Sequence, residues 1–226
     1  MPIENETRAQ VIDWTKTYKV IAIVRGADPE QCLQVAQALY DGGIRMMEIT
    51  YNQSAPESWR ATADAIGCVA KAFAGKMLVG AGTVTTPELV DMTAEAGGLF
   101  VISPDPYPDV IARTRQRGLV SMPGAMTATE AQQAFRAGAD FVKLFPVGNL
   151  GAGYLKALKA PLSHIAFLAV GGVDEKNAVD FLKAGAAGVG IGGNLANKEW
   201  IAAGQYDKIT EAARKVVAAI ESSNTR

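Results

Sequence analysis

The chain has 226 residues, 49% hydrophobic and 20% charged, with a formal net charge of -1. That is enough for one sizeable core, and the near-neutral balance excludes the basic surface of a nucleic-acid binder. No run reaches the ~20 consecutive apolar residues of a membrane-spanning helix, so no membrane partner is expected.

In chain order, residues 1–17 predict a leading helix whose polar, acidic start lacks a signal-peptide pattern, and a cytoplasmic location is the expectation. Strand-like runs follow at 19–24, 44–49, 77–81, 99–102, 119–122, 141–145, 165–169 and 187–191. Helical stretches separate them at 28–40, 56–73, 86–96, 107–117, 127–137, 151–159 and 174–184, and a closing helix spans 205–221. One local pattern recurs: a helix end stopped by glycine, then at once a strand. It reads Asp41-Gly42-Gly43, Ala96-Gly97-Gly98, Arg117-Gly118, Ala137-Gly138-Ala139 and Ala184-Gly185-Ala186. Thr127 with Glu130 has the spacing of a capping box. Repeated βα units argue for a parallel sheet, and eight of them predict a closed (β/α)8 TIM barrel with an extra N-terminal helix. An open doubly wound sheet is the alternative. The expected organisation is one domain over 1–226: leading helix 1–17, barrel 18–221, tail 222–226.

Cys32 and Cys68 fall far apart in helical stretches and fit reduced, buried thiols better than a disulfide or a metal knuckle. The lone His164 cannot build a histidine-rich metal site and fits a surface or loop role. Gly188-Val189-Gly190-Ile191-Gly192-Gly193 superficially resembles a dinucleotide fingerprint. It begins inside a strand, comes late in the chain and lacks the acidic residue expected about 20 residues on, so no dinucleotide cofactor is expected.

Lys143, in Phe141-Val142-Lys143-Leu144-Phe145-Pro146, is the most informative residue. Burial disfavours an ammonium and lowers its pKa, and a neutral amine at a strand end is what Schiff-base chemistry requires. The alternative is an edge lysine that snorkels to water. Reactive groups of such barrels gather at the C-terminal strand ends. Glu48 and Lys143 belong to the second and sixth strands, opposite each other across an eight-stranded barrel. Phe141, Lys143 and Phe145 share one strand face, as do Met46, Glu48 and Thr50. Lys143 and Glu48 are therefore expected to meet near the axis, as a catalytic pair or as a buried pair that only fills the barrel. Gly171-Gly172 and Gly192-Gly193 follow the seventh and eighth strands, where barrels often bind phosphate through backbone N–H groups. Two ordinary turns are the alternative.

These residues together resemble the 2-keto-3-deoxy-6-phosphogluconate / 4-hydroxy-2-oxoglutarate (KDPG/KHG) aldolase family, from about residue 19 to about 217. The resemblance is carried by Gly43-Ile44-Arg45-Met46-Met47-Glu48-Ile49-Thr50, Gly80-Ala81-Gly82-Thr83-Val84 and Ile102-Ser103-Pro104. It continues in Met122-Pro123-Gly124, the Lys143 run and Val170-Gly171-Gly172-Val173. It implies a class I aldolase without metal or cofactor, a TIM barrel that assembles as a homotrimer, and a 2-keto acid substrate that yields pyruvate. Lys143 matches the Schiff-base lysine and Glu48 the proton-shuttling carboxylate. Thr83 and Pro104 match residues around the pyruvate portion, with Phe145 beside the lysine. Gly171, Gly172 and Gly193, with Gly192, match the phosphate-binding turns. Asn52 stands where many gluconate-type members carry Arg; with Arg25, which is given a substrate-anion role, it looks like the 6-phosphogalactonate branch. Asn194 stands where many members have Ser and can still donate to phosphate. A sugar-phosphate isomerase or epimerase is a competing reading, but it needs no Schiff-base lysine. A non-catalytic sugar-acid binding module would not be expected to keep both Lys143 and Glu48.

Overall fold

Apolar runs with alternating faces, each entered from a glycine-stopped helix, assemble here into one parallel sheet. The computed structural model describes residues 5–224; the outer parts of the expected leading helix and tail, at 1–4 and 225–226, lie outside the described residues. The chain runs α1 (Asn5–Tyr18), β1 (Val20–Arg25), α2 (Pro29–Asp41), β2 (Met46–Thr50), a 3-10 turn (Pro56–Ser58), α3 (Trp59–Ala72), β3 (Leu78–Gly82) and α4 (Pro87–Glu95). It continues through β4 (Phe100–Ile102), α5 (Pro108–Gln116), β5 (Val120–Met122), β6 (Gly124–Ala125), α6 (Ala128–Ala137), β7 (Val142–Leu144) and α7 (Gly151–Lys159). It ends with β8 (Phe167–Val170), α8 (Ala178–Lys183), β9 (Gly188–Ile191), α9 (Lys198–Ala202) and α10 (Tyr206–Asn224).

Helix ends follow local chemistry. Gly138 at the end of α6 takes φ 102, a conformation open to glycine and costly for other residues. At the other end of α6, the Thr127 hydroxyl accepts from Glu130 N–H and the Glu130 carboxylate accepts from Thr127 N–H. Those backbone donors, with Met126 N–H, hold the Glu130 carboxyl below its usual range.

The strands lie in the order β5-β4-β3-β2-β1-β9-β8-β7-β6, all parallel. β5 and β6 stand at the two ends of that order, yet they are one strand interrupted at Pro123, which has no N–H to donate. Across the interruption the ladder continues: Ser121 O accepts from Phe141 N–H (3.3 Å), Pro123 O from Lys143 N–H (2.8 Å) and Ala125 O from Phe145 N–H (3.0 Å). The barrel therefore closes through this strand as a (β/α)8 architecture, and the open doubly wound sheet is set aside.

Strand alternation makes two apolar layers. Ile21, Ile23, Met46, Leu78, Phe100, Ile102, Phe141 and Leu168 fill the barrel interior. Val20, Ala22, Val24, Met47, Ile49, Val142 and Leu144 face the surrounding helices. α1 covers the N-terminal end of the barrel: Val11 joins the interior layer, and the buried Thr15 donates to Val11 O (2.7 Å) and touches Met46. Arg8 on α1 pairs with Asp140, whose second oxygen accepts from Ser121 N–H. The opposite, C-terminal end is left for a site.

Three expectations need correction, and one short helix is additional. The helix expected over 174–184 begins only at Ala178, because Asp174 and Asn177 cap each other's backbone in a turn. The helix expected over 56–73 opens as a 3-10 turn, where the N–H of Ser58 bonds to Ala55 O. The short α9 went unrecognised; the Asn197 side chain starts it by accepting from Glu199 and Trp200 N–H. Cys32 is buried, and burial pushes its thiol up to about 12, but Cys68 is exposed because it lies on the outward side of α3. His164 is exposed and contacts Gln132 and the edge of Phe135. Among the described residues no helix is long and apolar enough to cross a membrane.

Candidate active site

Register places the polar groups of the interior layer. Glu48 is level with Ile23 on β1 and Gly80 on β3, and Lys143 is level with Gly124 on β6 and Leu168 on β8. Both side chains point inward and are buried, Glu48 to 1% exposure and Lys143 to 5%. They line one narrow cavity of about 10 Å³, walled by Ile21, Ile23, Ile102, Leu168 and Val170. A space of that size holds roughly one water molecule. Glu48 Oε2 has no hydrogen-bond partner. The Lys143 Nζ lies 4.6 Å from the centre of the Phe145 ring.

A buried carboxylate without a partner is costly, so it moves toward its neutral form. Burial raises the Glu48 pKa, and the positive charges of Lys143 and Arg25 oppose that rise. Burial lowers the Lys143 pKa; Glu48 opposes the fall and Arg25 adds to it. Both groups thus shift toward a neutral amine beside a neutral acid, the state a lysine nucleophile needs.

Gly82 stands beside Glu48 on the mouth side, level with Thr50. A Cβ on Gly82 would stand 2.5 Å from Glu48 Oε1 and 2.7 Å from its Cδ. Gly82→Ala should therefore lower Tm by a few degrees, because the added Cβ would also stand 2.8 Å from Thr50 Cγ2 in a buried site. It should also cut kcat by about 100-fold, because the carboxylate is displaced by an ångström or more. Steady-state kinetics beside a melting curve check this; an unchanged kcat would show that the carboxylate's position does not matter.

A second cavity of about 240 Å³ continues the first, sharing Ile23, Val170 and Gly190 with it. Arg25, Phe145, Gly171, Gly172, Gly192, Gly193 and Asn194 line it. At Gly172 (φ +78) a Cβ would strike the backbone of Gly148, so this turn requires glycine. The barrel mouth thus holds the buried Lys143–Glu48 pair in a narrow slot and, beside it, a wider basin with one guanidinium and two glycine turns.

Three expected site residues lie outside the linings of both cavities. Asn52 spends its carboxamide oxygen on Ser54 N–H (3.0 Å). The carbonyl of Pro104 lies against Gly124, where a Cβ would come within 2.1 Å of it. Thr83 follows Gly82 with φ 57, a left-handed conformation that costs a β-branched residue about 1–3 kcal/mol. The apolar walls lie in no sequence motif, although Ile21 and Ile23 share the strand face of Arg25 and are open to period-two counting. A larger cavity of about 600 Å³ lies on the outer surface between α3 and α4, lined by Arg60, Asp64, Cys68, Lys71 and Glu95. It is remote from the strand ends and holds no buried ionisable group, so the barrel mouth is the better candidate.

Comparison with known proteins agrees with the resemblance drawn from the motifs. The 2-dehydro-3-deoxy-6-phosphogalactonate aldolase of Escherichia coli (strain K12) is 40% identical over 81% of this chain and 87% of its own length. The KHG/KDPG aldolase of the same organism is 31% identical over 89% of this chain and 92% of its own. A solved structure described as native KDPGal superposes with a TM-score of 0.82 at 37% identity, covering 92% of this chain and 96% of that one. A KDPG aldolase of Legionella pneumophila, solved with pyruvate captured as a covalent carbinolamine, gives 0.81 at 26% identity, covering 91% and 97%. The family model for KDPG and KHG aldolase matches residues 11–212, from α1 into α10 and so across every strand of the barrel. With relatives, fold and family model in agreement, this chain is an aldolase and belongs to the KDPG and KHG aldolase family.

Proposed function

We propose that this enzyme is a class I aldolase that cleaves a 2-keto-3-deoxy-6-phospho sugar acid to pyruvate and glyceraldehyde 3-phosphate, with Lys143 as the Schiff-base residue and Glu48 as the proton carrier. The observation that carries this is the buried Lys143–Glu48 pair facing one narrow cavity, with Glu48 Oε2 unbonded. Neutral Lys143 attacks C2 of the substrate, giving a carbinolamine. Protonated Glu48 gives its proton to the departing hydroxyl, water leaves, and an iminium forms. Glu48, now a carboxylate, takes the C4 hydroxyl proton. The C3–C4 bond breaks, its electrons flow to the iminium nitrogen, and the aldehyde leaves. The enamine is protonated at C3, and hydrolysis frees pyruvate and Lys143. One carboxylate serves as acid and base in turn because burial brings its pKa toward the working range.

The basin beside this slot suits the phosphate end: Arg25 supplies charge, and Gly171, Gly172, Gly192, Gly193 and Asn194 supply close backbone and amide groups. Thr83, Pro104 and Phe145 are assigned to the pyruvate portion, and Asn52 to the loop beside it. Asn52 in place of Arg, together with the 40% identity to a phosphogalactonate aldolase, favours the galactonate epimer over the gluconate one. Cleavage of 4-hydroxy-2-oxoglutarate to pyruvate and glyoxylate is a second activity of the same slot, since it uses only the pyruvate half of the site. The chain is taken as one barrel domain acting in the cytoplasm, and its family resemblance supports a homotrimer.

Incubation with pyruvate and borohydride, followed by peptide mass spectrometry, tests the reading. A reduced pyruvate adduct on Lys143 is the expected result. Folded protein without that adduct would sink the Schiff-base assignment.

A further inference from the structure

The Gly171–Gly172 turn at the end of β8 is gripped from outside the basin it lines. Gly148, in the loop after β7, donates its N–H to Gly171 O at 2.7 Å, and Asn177 Nδ2 donates to Gly172 O at 2.9 Å. Two consecutive carbonyls are thus held by two different segments of the chain. The contact is close: a Cβ on Gly148 would stand 2.7 Å from Gly172 Cα and 2.8 Å from Gly171 O. The Asn177 carboxamide is itself fixed, because its Oδ1 accepts from Asp174 N–H at 3.0 Å.

A trans peptide points its N–H opposite to its carbonyl. With the carbonyls of Gly171 and Gly172 turned toward Gly148 and Asn177, the N–H groups of Gly172 and Val173 face the other way. Gly171, Gly172 and Val173 line the basin, and Gly148 and Asn177 do not. Among the described residues neither N–H has a partner, although Val173 is only 2% exposed. A buried N–H left open costs about as much as a lost hydrogen bond, so an acceptor is expected in front of it. Gly171 and Gly172 stand at φ +88 and +78, and neither has a side chain to fix the peptide between them. Its orientation therefore depends on the two outside bonds.

We propose that Gly148 and Asn177 are positioning residues of this basin: by holding the two carbonyls they aim the Gly172 and Val173 N–H groups together at one anion, and so set how tightly the enzyme takes a phosphorylated substrate. This rests on the phosphate role given to the basin. Both residues act through the turn and lie outside the Lys143–Glu48 slot.

The test uses the full chain and reads two constants side by side. One is the inhibition constant of inorganic phosphate against cleavage of the phosphorylated substrate. The other is the pyruvate concentration that half-saturates borohydride trapping on Lys143. Asn177→Ala should weaken phosphate about tenfold, the worth of one hydrogen bond to a charged group. Half-saturation by pyruvate should not move, because pyruvate is bound at the slot and not at the turn. Gly148→Ala, whose Cβ pushes the same turn from the other side, should weaken phosphate by a similar factor or more, and it carries the test if Asn177→Ala does not fold. Wild-type phosphate affinity in the folded variants would overturn the proposal. Equal losses for phosphate and pyruvate would overturn it too, since they would mark a general loosening of the barrel mouth. If phosphate does not compete in the wild-type enzyme, the phosphate reading of the basin falls and this one with it; competition that survives unchanged in both variants removes this one alone.

Discussion

Lys143→Met is expected to abolish both pyruvate trapping and cleavage while leaving the barrel folded. The swap nearly conserves side-chain volume, and Met is at home among the Ile21, Ile23 and Leu168 walls. Loss of a covalent nucleophile costs on the order of 10⁴-fold or more in kcat. Glu48 is not left as a stranded charge. Lys143 opposes the rise of its pKa, so without Lys143 the carboxyl moves further toward the neutral acid. Lys143 has a folded pKa below its unfolded value, so the stability it contributes is full above that unfolded value, about 10.4. That contribution is lost as pH falls through the folded pKa. Glu48 has a raised folded pKa, so its contribution is full below about 4.3 and is lost as pH rises through the folded pKa. At neutral pH the fold bears both costs. The double variant Lys143→Met/Glu48→Met, apolar and of similar volume at both positions, should therefore unfold at a free energy about 1–4 kcal/mol above wild type at pH 7. Pyruvate release and denaturant unfolding read the two effects separately. Near-native cleavage by Lys143→Met would end the Schiff-base assignment. A double variant less stable than wild type would show that the pair holds the fold together.

Glu48→Gln should lower kcat by about 10²–10⁴-fold, the usual worth of a positioned acid–base group. Pyruvate affinity should change far less, because Lys143 still forms the covalent bond. An equal loss in turnover and affinity would point instead to a positioning role. The pH dependence gives a second, independent readout. Burial keeps Lys143 below the ordinary lysine range, and Glu48 holds it up. Replacing the carboxylate removes that support while Arg25 continues to push the pKa down. The ascending limb of the trapping rate, which follows the neutral amine, should thus move to lower pH in Glu48→Gln even as the maximum falls. An unmoved limb, or one displaced to higher pH, would mean that Glu48 and Lys143 do not share an electrostatic environment.

The local signals were short-range and survived intact. Glycine after a helix end, followed at once by an apolar run, marks a βα unit, and Gly138 shows why: the chain turns through a conformation that other residues avoid. The meeting of Glu48 and Lys143 in one cavity follows from two periodicities, alternation along a strand and opposition across eight strands.

What escaped the sequence depends on contacts between segments far apart in the chain. Pro123 reads as the end of a strand, and only the ladder to Phe141, Lys143 and Phe145 shows that the strand resumes and closes the barrel. Cys68 has the neighbours of a buried residue in sequence, yet α3 turns it outward. Asn52 reads as a ligand residue, and only the fold shows that its carboxamide oxygen accepts from Ser54 N–H. Gln53 lies in no motif, and only the fold shows its bond to Thr83; Gly82 lies in the Gly80–Val84 motif, but only the fold sets it against the Glu48 carboxylate. Composition, spacing and alternation determined the elements, the barrel and the meeting of Lys143 with Glu48, because those depend on backbone sterics and on which face of a strand is buried. Closure, exposure and the bracing of the site were decided by the tertiary structure, because each is set by the packing of side chains that the chain brings together only once it has folded.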